Sequence, residues 1–467
     1  MRRKLLVSSI ILIFLSLTAA FSQEETEEKA VLAEMIQLAL SQNPQIRAAE
    51  QEWQASLEGI PQAKALPDPM LSYSYFGQSV ETRLGPQRNK ISVTQKFPFF
   101  GKLSLKGEIA RSQAWMFESQ YRAVKADVEL KVKQAFFSLY WLDKSLSISH
   151  EEKEVIRRLA RVAQKKYETG QATQQDVLKA QLEISNVMDR ILTLAQGRKA
   201  VAVELNSLLD RPAETPIGAV EEIEAPELRV ELDKLYEWAK ETRPELRKVG
   251  YLIEKNEKGL KLAQKNYFPD FQVMVDYIDI GGGTTTSPED GRNAWMASIG
   301  ISMPIWRKKL RAGEAEEATK LKASESLYKN VENETLSRVN GLFYEVKTAE
   351  EQIKLYKFSL LPQAEQSFKA SEIGYLTGKV DFLNLLDSER MILMIKNGYY
   401  KAISDWNKSV ARLERIVGRN ILSESATEQE RPETQSSDEL GEGLKANKRI
   451  DRIDLKKGIE HGGEKDE

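Results

Sequence analysis

The side chains best placed to do chemistry are carboxylates that follow two matching turns. YETGQATQQD covers residues 167–176 and YLTGKVDFLNLLD covers residues 375–387, and each contains a Tyr-x-Thr-Gly segment. Asp176 and Asp387 close these two stretches. Carboxylates gathered around an axis attract cations, whereas an isolated carboxylate at a helix start is simply favoured by the helix dipole. The sequence leaves both interpretations open.

Other chemistry has little support. The chain has no cysteine and two histidines, His150 and His461, which excludes thiol catalysis, thiolate metal sites and a lipidated cysteine. The glycines at 281–283 precede threonines and lack the Lys-Ser/Thr pair of a phosphate-binding loop. A formal net charge of −2 without a basic block gives no indication of nucleic-acid binding. We therefore predict no enzymatic activity, no cofactor and no resident metal.

The first residues have the pattern of an export signal. Arg2, Arg3 and Lys4 precede an apolar run over residues 5–17, and small residues with cleavage-site spacing follow. We predict a signal peptide over residues 1–22 that is removed and not lipidated. No later stretch has eighteen consecutive apolar residues, so any membrane crossing must be made by β-strands.

Both halves of the chain follow the same order of elements. In the first half, a helical pattern over residues 31–64 precedes two alternating strands, which a polar loop with Gly77, Gly85 and Pro86 separates. A long helical arm then runs from Leu103 to Tyr167, about 100 Å at ~1.5 Å per residue. Its apolar seam has coiled-coil spacing and continues in the return helix. The predicted seam residues are Val124, Val128, Val132, Ala135, Leu139, Leu142 and Leu146, then Val177, Ala180, Ile184, Val187, Ile191 and Leu194.

The second half repeats this order about two hundred residues later, which indicates a duplicated unit. Pro98 and Pro304 mark equivalent strand-to-helix junctions, and Pro362 predicts a kink in the second arm. Gly170 and Gly378 turn the two helical hairpins. We predict repeats over 23–210 and 240–418, a connector over 211–239, and a polar tail over 419–467 that is too poor in aromatic residues to fold.

Four strands of about ten residues can cross a bilayer but cannot close a barrel. The chain must then pool its strands with copies of itself, as a dimer with eight strands or a trimer with twelve. The alternative is a periplasmic coiled-coil scaffold or adaptor, in which the two β-hairpins pack on helices outside the membrane. Glu and Lys runs along the arms are interpreted as solvated faces.

The two helix–hairpin–helix repeats, the Pro98 and Pro304 junctions and the Tyr-x-Thr-Gly turns together resemble the TolC-type outer membrane efflux protein family, over residues 31–418. The resemblance implies a mainly α-helical fold with a transmembrane β-barrel portion. It implies a homotrimer with a twelve-stranded barrel in outer-membrane lipid and an α-helical barrel in the periplasm. The implied function is the exit duct of a tripartite pump or type I secretion system, with a periplasmic adaptor and an inner-membrane transporter of RND or ABC type as partners.

The resemblance also implies an aperture at the hairpin turns. The family's two aspartate positions fall on Asn384 and Asp387, and Asn384 departs from the pattern. Asp381 lies close by, and Asp176 holds the matching place in the first repeat. The turns themselves are candidates for adaptor docking, through Gly170, Gly378, Tyr167 and Tyr375. The substrate is not legible from the sequence: metal, drug and protein export remain open.

Overall fold

The computed structural model describes residues 30–283 and 285–422. The chain divides into two units after Leu422, and the second unit lies outside the described residues. The predicted signal peptide and nearly all of the predicted polar tail also lie outside them. No helix within 30–283 and 285–422 combines the length and apolar character needed to span a membrane.

The chain begins with two helices where one was predicted. Helix α1 spans Leu32–Gln42 and α2 spans Pro44–Lys64. The prediction of one continuous helix was wrong because Asn43 caps the second helix: its Oδ1 accepts the backbone N–H of Gln45 at 2.9 Å and of Ile46 at 3.2 Å. Pro44 then occupies the first turn, where its missing N–H costs nothing.

The four strands form one antiparallel sheet in the order β1-β2-β3-β4. The strands are β1 Met70–Thr82, β2 Gly85–Phe97, β3 Asp270–Ile280 and β4 Ala294–Ser302. The predicted broad loop in the first hairpin was wrong, because Gly77, Gly85 and Pro86 all lie within strands. Only Arg83 and Leu84 connect β1 to β2.

The two faces of this sheet differ in polarity. One face carries the rows Leu71–Val93–Val275–Ala297 and Tyr73–Ile91–Tyr277–Trp295, which the strand register aligns. The other face carries the row Ser72–Ser92–Asp276–Met296, in which Lys90 pairs with Asp276 at 3.1 Å. Most large side chains of the apolar face are exposed on the single chain. Such a surface needs a lipid or protein environment.

The helices of the first half make one long hairpin. Helix α3 spans Lys102–Glu168, 67 residues, and α4 returns over Gln174–Leu208. At ~1.5 Å per residue α3 is about 100 Å long, as predicted. Most of the predicted seam is buried or half-buried, with Val128, Val132 and Leu139 fully inaccessible.

The second half contains α5 Leu232–Thr242, α6 Pro244–Lys265, α7 Arg307–Leu355, α8 Leu361–Leu376 and α9 Phe382–Val417. A five-residue π-helical turn, Tyr356–Leu360, joins α7 to α8 directly before Pro362. The extra residue in the turn accommodates the proline, whose ring is incompatible with an uninterrupted α-helix. Helix α9 packs against α3, α7 and α8, and this packing joins the two halves of the chain.

Candidate functional site at the hairpin turns

The two Tyr-x-Thr-Gly turns have the same geometry. Gly170 and Gly378 adopt left-handed φ values of 73° and 77°. In the first turn Gln171 N donates to Lys166 O at 2.7 Å, and in the second Lys379 N donates to Gly374 O at 2.8 Å. These bonds across five residues define the Schellman motif, which ends a helix at a left-handed glycine.

The threonines complete both turns. The Thr169 hydroxyl donates to Lys165 O at 3.2 Å, and the Thr377 hydroxyl donates to Ile373 O at 3.0 Å. Each hydroxyl thus adds a second hydrogen bond to a carbonyl of the last helical turn, which also accepts the threonine's own backbone N–H. The repeated sequence motif therefore encodes a specific helix end, and both hairpins reverse at the same structural point.

The two tyrosines of the motif have different environments. Tyr375 is buried against Phe382, with ring centroids 5.3 Å apart, whereas Tyr167 is partly exposed. Lys166 joins the two hairpins: its Nζ donates to Tyr375 O at 2.7 Å and lies 4.9 Å from the Tyr375 ring centre. Burial, with a contribution from the negative charge of Asp176, raises the pKa of Tyr375 to about 12. The turn of one hairpin is thus attached to that of the other.

Two of the predicted site carboxylates act at helix starts. Asp176 forms a capping box with Thr173: its Oδ2 accepts Thr173 N at 3.2 Å, and Thr173 Oγ1 accepts Asp176 N at 3.3 Å. Asp381 caps α9 and accepts Asn384 N at 2.8 Å. The helix-start interpretation, given from the sequence for Asp176 and Asp387, therefore has direct geometric support at Asp176.

Asp387 and Asn384 are placed differently, on one exposed face of α9 one turn apart. The Asp387 side chain is 68% exposed, and its only ion pair within the described residues is a long one of 3.7 Å to Arg390. Asp387 lies in the second turn of α9 and caps nothing. Its carboxylate is free to face an opening.

A buried ionic cluster that the sequence interpretation missed lies roughly two to four helical turns from the hairpin turns. Glu152 of α3, Glu183 of α4 and Glu389 of α9 are 2%, 3% and 2% exposed. Arg190 donates to Glu152 at 2.8 Å, and Arg390 donates to Glu183 through two nitrogens. The prediction that the charged residues of the arms form solvated faces was wrong for these three glutamates.

A signal for this burial was present in the sequence. Glu152 follows Ser145 and Ser149 and precedes Ile156 at alternating spacings of four and three, which places it in the seam of α3. The seam predicted from apolar residues alone does not include Glu152, because its side chain is charged.

The three carboxyls differ in charge. Burial raises the pKa of Glu389 to about 8, and the charges of Glu152 and Glu183 add to the effect. Burial also raises the pKa of Glu152 to about 7, against the opposing charge of Arg190. The hydrogen bond from Arg390 lowers the pKa of Glu183. At neutral pH the cluster therefore contains one firmly ionised carboxylate and two that titrate near neutrality.

The strand-to-helix junctions lie at the other ends of the long helices. Pro98 lies between β2 and α3, and Pro304 lies between β4 and α7. At the first junction Asp270 accepts the backbone N–H of Phe99 at 2.8 Å and pairs with Lys102 at 2.7 Å. These contacts attach the start of α3 to the start of β3.

Comparison with known proteins agrees with this arrangement. The sequence profile described as outer membrane efflux protein matches residues 35–211 and 235–419. The chain belongs to the outer membrane efflux protein family. The resemblance given from the sequence is confirmed, and so is the mainly α-helical fold with four antiparallel strands. Members of this family are outer membrane efflux channels, which confirms the predicted function and does not favour the periplasmic scaffold.

Individual members of the family are similar over nearly the whole chain. The cobalt-zinc-cadmium resistance protein CzcC of Cupriavidus metallidurans is 23% identical over 90% of this chain and all of its own length. The structure of the CusC channel has a TM-score of 0.72 with 16% identity, covering 86% of this chain and 96% of that one. The outer membrane protein VceC of Vibrio cholerae has a TM-score of 0.70 with 15% identity, covering 84% and 96%.

Proposed function

We propose that this efflux channel is a homotrimer whose three sheets join into a twelve-stranded barrel in outer-membrane lipid. The proposal rests on the two unpaired edge strands of the sheet. Strands β1 and β4 each have one neighbour within the described residues, so each leaves a row of backbone groups without a strand partner. Unpaired edges are not tolerated in hydrocarbon, and β1 of one copy next to β4 of another removes them.

The helices offer a second pair of open edges. On α4, Leu178, Leu182 and Leu192 are exposed, and on α7 to α8, Tyr344 and Phe358 are exposed. Helix α4 packs on α3 and helix α8 packs on α9, so these apolar side chains lie on opposite borders of the helical layer. A ring of copies brings the two borders together and buries both.

The turns are proposed as the periplasmic end of the duct, where an adaptor docks. Gly170, Gly378 and the partly exposed Tyr167 lie at this end. Asp387 and Asn384 face outward from α9 there, and three copies of Asp387 around one axis form a ring that attracts cations. We propose Asp381 and Asp176 as neighbours of this ring that also start their helices. The driving partner is an inner-membrane transporter of RND or ABC type.

Export and domain organisation complete the proposal. The chain reaches the outer membrane of a diderm bacterium after removal of residues 1–22, without lipidation because it has no cysteine. Two repeats, 23–210 and 240–418, flank a connector over 211–239, and the tail 419–467 follows. The protein acts as a passive duct with no catalytic step.

For the cargo we propose divalent transition-metal cations. The support is the similarity to the cobalt-zinc-cadmium resistance protein, which covers that protein from end to end. Within the described residues no group of three or more His, Cys, Asp or Glu side chains is arranged to hold a metal ion. A passive duct needs no such site, because its cargo passes without dwelling.

The test has an assembly arm and a transport arm. The mass of the purified protein in detergent should equal that of three chains, and a monomer or dimer would refute the trimer. A host that carries a matching metal pump but lacks its own duct should regain resistance to cobalt, zinc and cadmium. Restored resistance to organic drugs alone would refute the metal assignment while leaving the duct intact.

A further inference from the structure

The buried ionic cluster lies where the two hairpins meet. An apolar group beside the turns, with Leu159 of α3, Ala180 of α4 and Leu386 of α9, packs the ends of the helices together. Glu183 and Glu389 follow Ala180 and Leu386 by one turn of their helices. Polar side chains therefore continue the same packing layer away from the turns.

Several polar atoms of this layer have no hydrogen-bond partner. Glu152 Oε1 and Glu389 Oε2 are buried without a hydrogen-bond partner, as are the hydroxyls of Ser145 and Ser149 on the same face of α3. A buried ionised oxygen without a partner is costly, whereas a protonated carboxyl removes the charge and gains a donor. The packed arrangement of α3, α4 and α9 thus favours bound protons.

The charged side chains around Glu389 do not neutralise its carboxylate when it is ionised. The charged groups that act on Glu389 are Glu152 of α3, Glu183 and Arg190 of α4, and Arg390 of its own helix. Arg390 is already bonded to Glu183 and Arg190 to Glu152.

Helix α8 also packs against α9, and a carboxylate on α8 is paired as well. Its Glu372 pairs with Arg158 of α3 at 3.1 Å. The two arginines that act on Glu389 are therefore each bonded to another carboxylate, and a bound proton neutralises Glu389 instead.

We propose that Glu389 and Glu152 form a proton-loaded latch that holds α9 packed on α3, beside α4, and releases α9 when the two carboxyls ionise. The latch is a control on the proposed channel, because separation of these helices beside the turns loosens the proposed aperture. Its physical basis does not depend on what the channel carries.

The direction of the pH response follows from proton linkage. A carboxyl with a pKa of about 8 when packed and its ordinary 4.5 when hydrated binds more protons in the packed state. The packed state is therefore fully stabilised below pH 4.5 and loses stability as the pH rises toward 8. For Glu389 alone, the ratio of separated to packed helices rises on the order of 50-fold between about pH 6 and about pH 8.

The test measures the separation of α4 and α9 directly, in the purified full chain in detergent. Ser185→Cys and Met391→Cys place one spin label on each helix at exposed positions, and the protein has no other cysteine. The distance between labels should be short at about pH 5 and longer at about pH 9, two values that lie on either side of the raised pKa values. The change should fall in the window between the ordinary value of 4.5 and about 8, in which the packed state binds more protons than the separated state.

Two variants decide the assignment. The double variant Glu152→Gln with Glu389→Gln keeps the shape of both side chains but cannot ionise at either, so its helices should stay packed across the whole range. The matched control is Glu350→Gln in α7, which removes another buried carboxylate with an unpartnered oxygen, one that pairs with Lys347 instead. This control should keep the transition of the parent.

An unchanged distance in the parent from about pH 5 to about pH 9 overturns the latch, and so does a transition that persists in the double variant Glu152→Gln with Glu389→Gln. Neither result bears on assembly or metal resistance, so failure of the latch is distinct from failure of the proposed duct.

Discussion

The ion pair between Arg390 and Glu183 gives the sharpest quantitative prediction, because it joins α9 to α4 across the hairpins. Glu183 is 3% exposed and receives bonds from two nitrogens of Arg390, whereas the Arg390 side chain is 51% exposed. Arg390→Ala removes the partner of a buried carboxylate and leaves the carboxylate in place. The expected result is looser packing of α9 on α4 and α3.

The magnitude lies between two limits. Removing one partner of a fully buried pair costs about 3–5 kcal/mol, and an exposed pair contributes roughly 0.2–1 kcal/mol. Because half of the Arg390 side chain is in water, and Asn186 can still donate to Glu183 at 3.4 Å, we expect about 1–3 kcal/mol. That corresponds to a rise of roughly 5- to 150-fold in the local opening equilibrium.

Hydrogen exchange of the backbone amides over residues 385–393 measures this opening in detergent. Glu183→Gln and the double variant complete a thermodynamic cycle, in which the coupling between the two positions should be at least about 1 kcal/mol. The matched control is Arg157→Ala, whose pair with Glu154 on α3 is exposed at both ends. It should change exchange by less than about threefold. Additive single variants, or an Arg390→Ala protein that exchanges like this control, would falsify the reasoning.

Three further predictions concern the turns, the aperture and the loops. Gly378→Ala should destabilise the turn by about 1–2 kcal/mol, because Gly378 has a φ of +77°. The control Gly341→Ala should be neutral or stabilising, because Gly341 lies in a helix with open space around it. Thermal unfolding measures both variants. Asp387→Ala should reduce cation preference in planar bilayers without loss of folding, and unchanged conductance and block by multivalent cations would leave the carboxylate without an aperture role. Gln87→Cys and Thr285→Cys should react with an impermeant thiol reagent on intact cells, since each lies near the tip of a β-hairpin opposite the long helices; protection of both would reverse the orientation.

The sequence by itself determined the features that depend on short-range rules. Alternation of apolar and polar residues identified the strands, and spacings of three and four identified the long helices and most of their seam. The turns at Gly170 and Gly378 were predictable because a Schellman motif needs a residue that tolerates positive φ. Duplication strengthened each of these assignments, since two copies of one pattern rarely arise by chance.

Tertiary structure decided the features that depend on what packs beside a residue. The helix break at Asn43 is also held by a tertiary contact, since the Asn43 side-chain amide donates to Leu208 O at 2.9 Å, although the periodic pattern continues through the break. Gly77 lies in β1 at the register shift between Tyr75 and Val80, and Gly85 pairs with Thr82, although glycine alone favours a loop.

The glutamates show the same limit most clearly. Seam spacing places Glu152 on the packed face of α3, but no local rule tells which charges surround that carboxyl or the carboxyl of Glu389. Three helices that are distant in sequence enclose these two carboxyls and exclude water from them. The free energy of a charge depends on that enclosure, so only the assembled fold could decide which glutamates hold a proton near neutral pH.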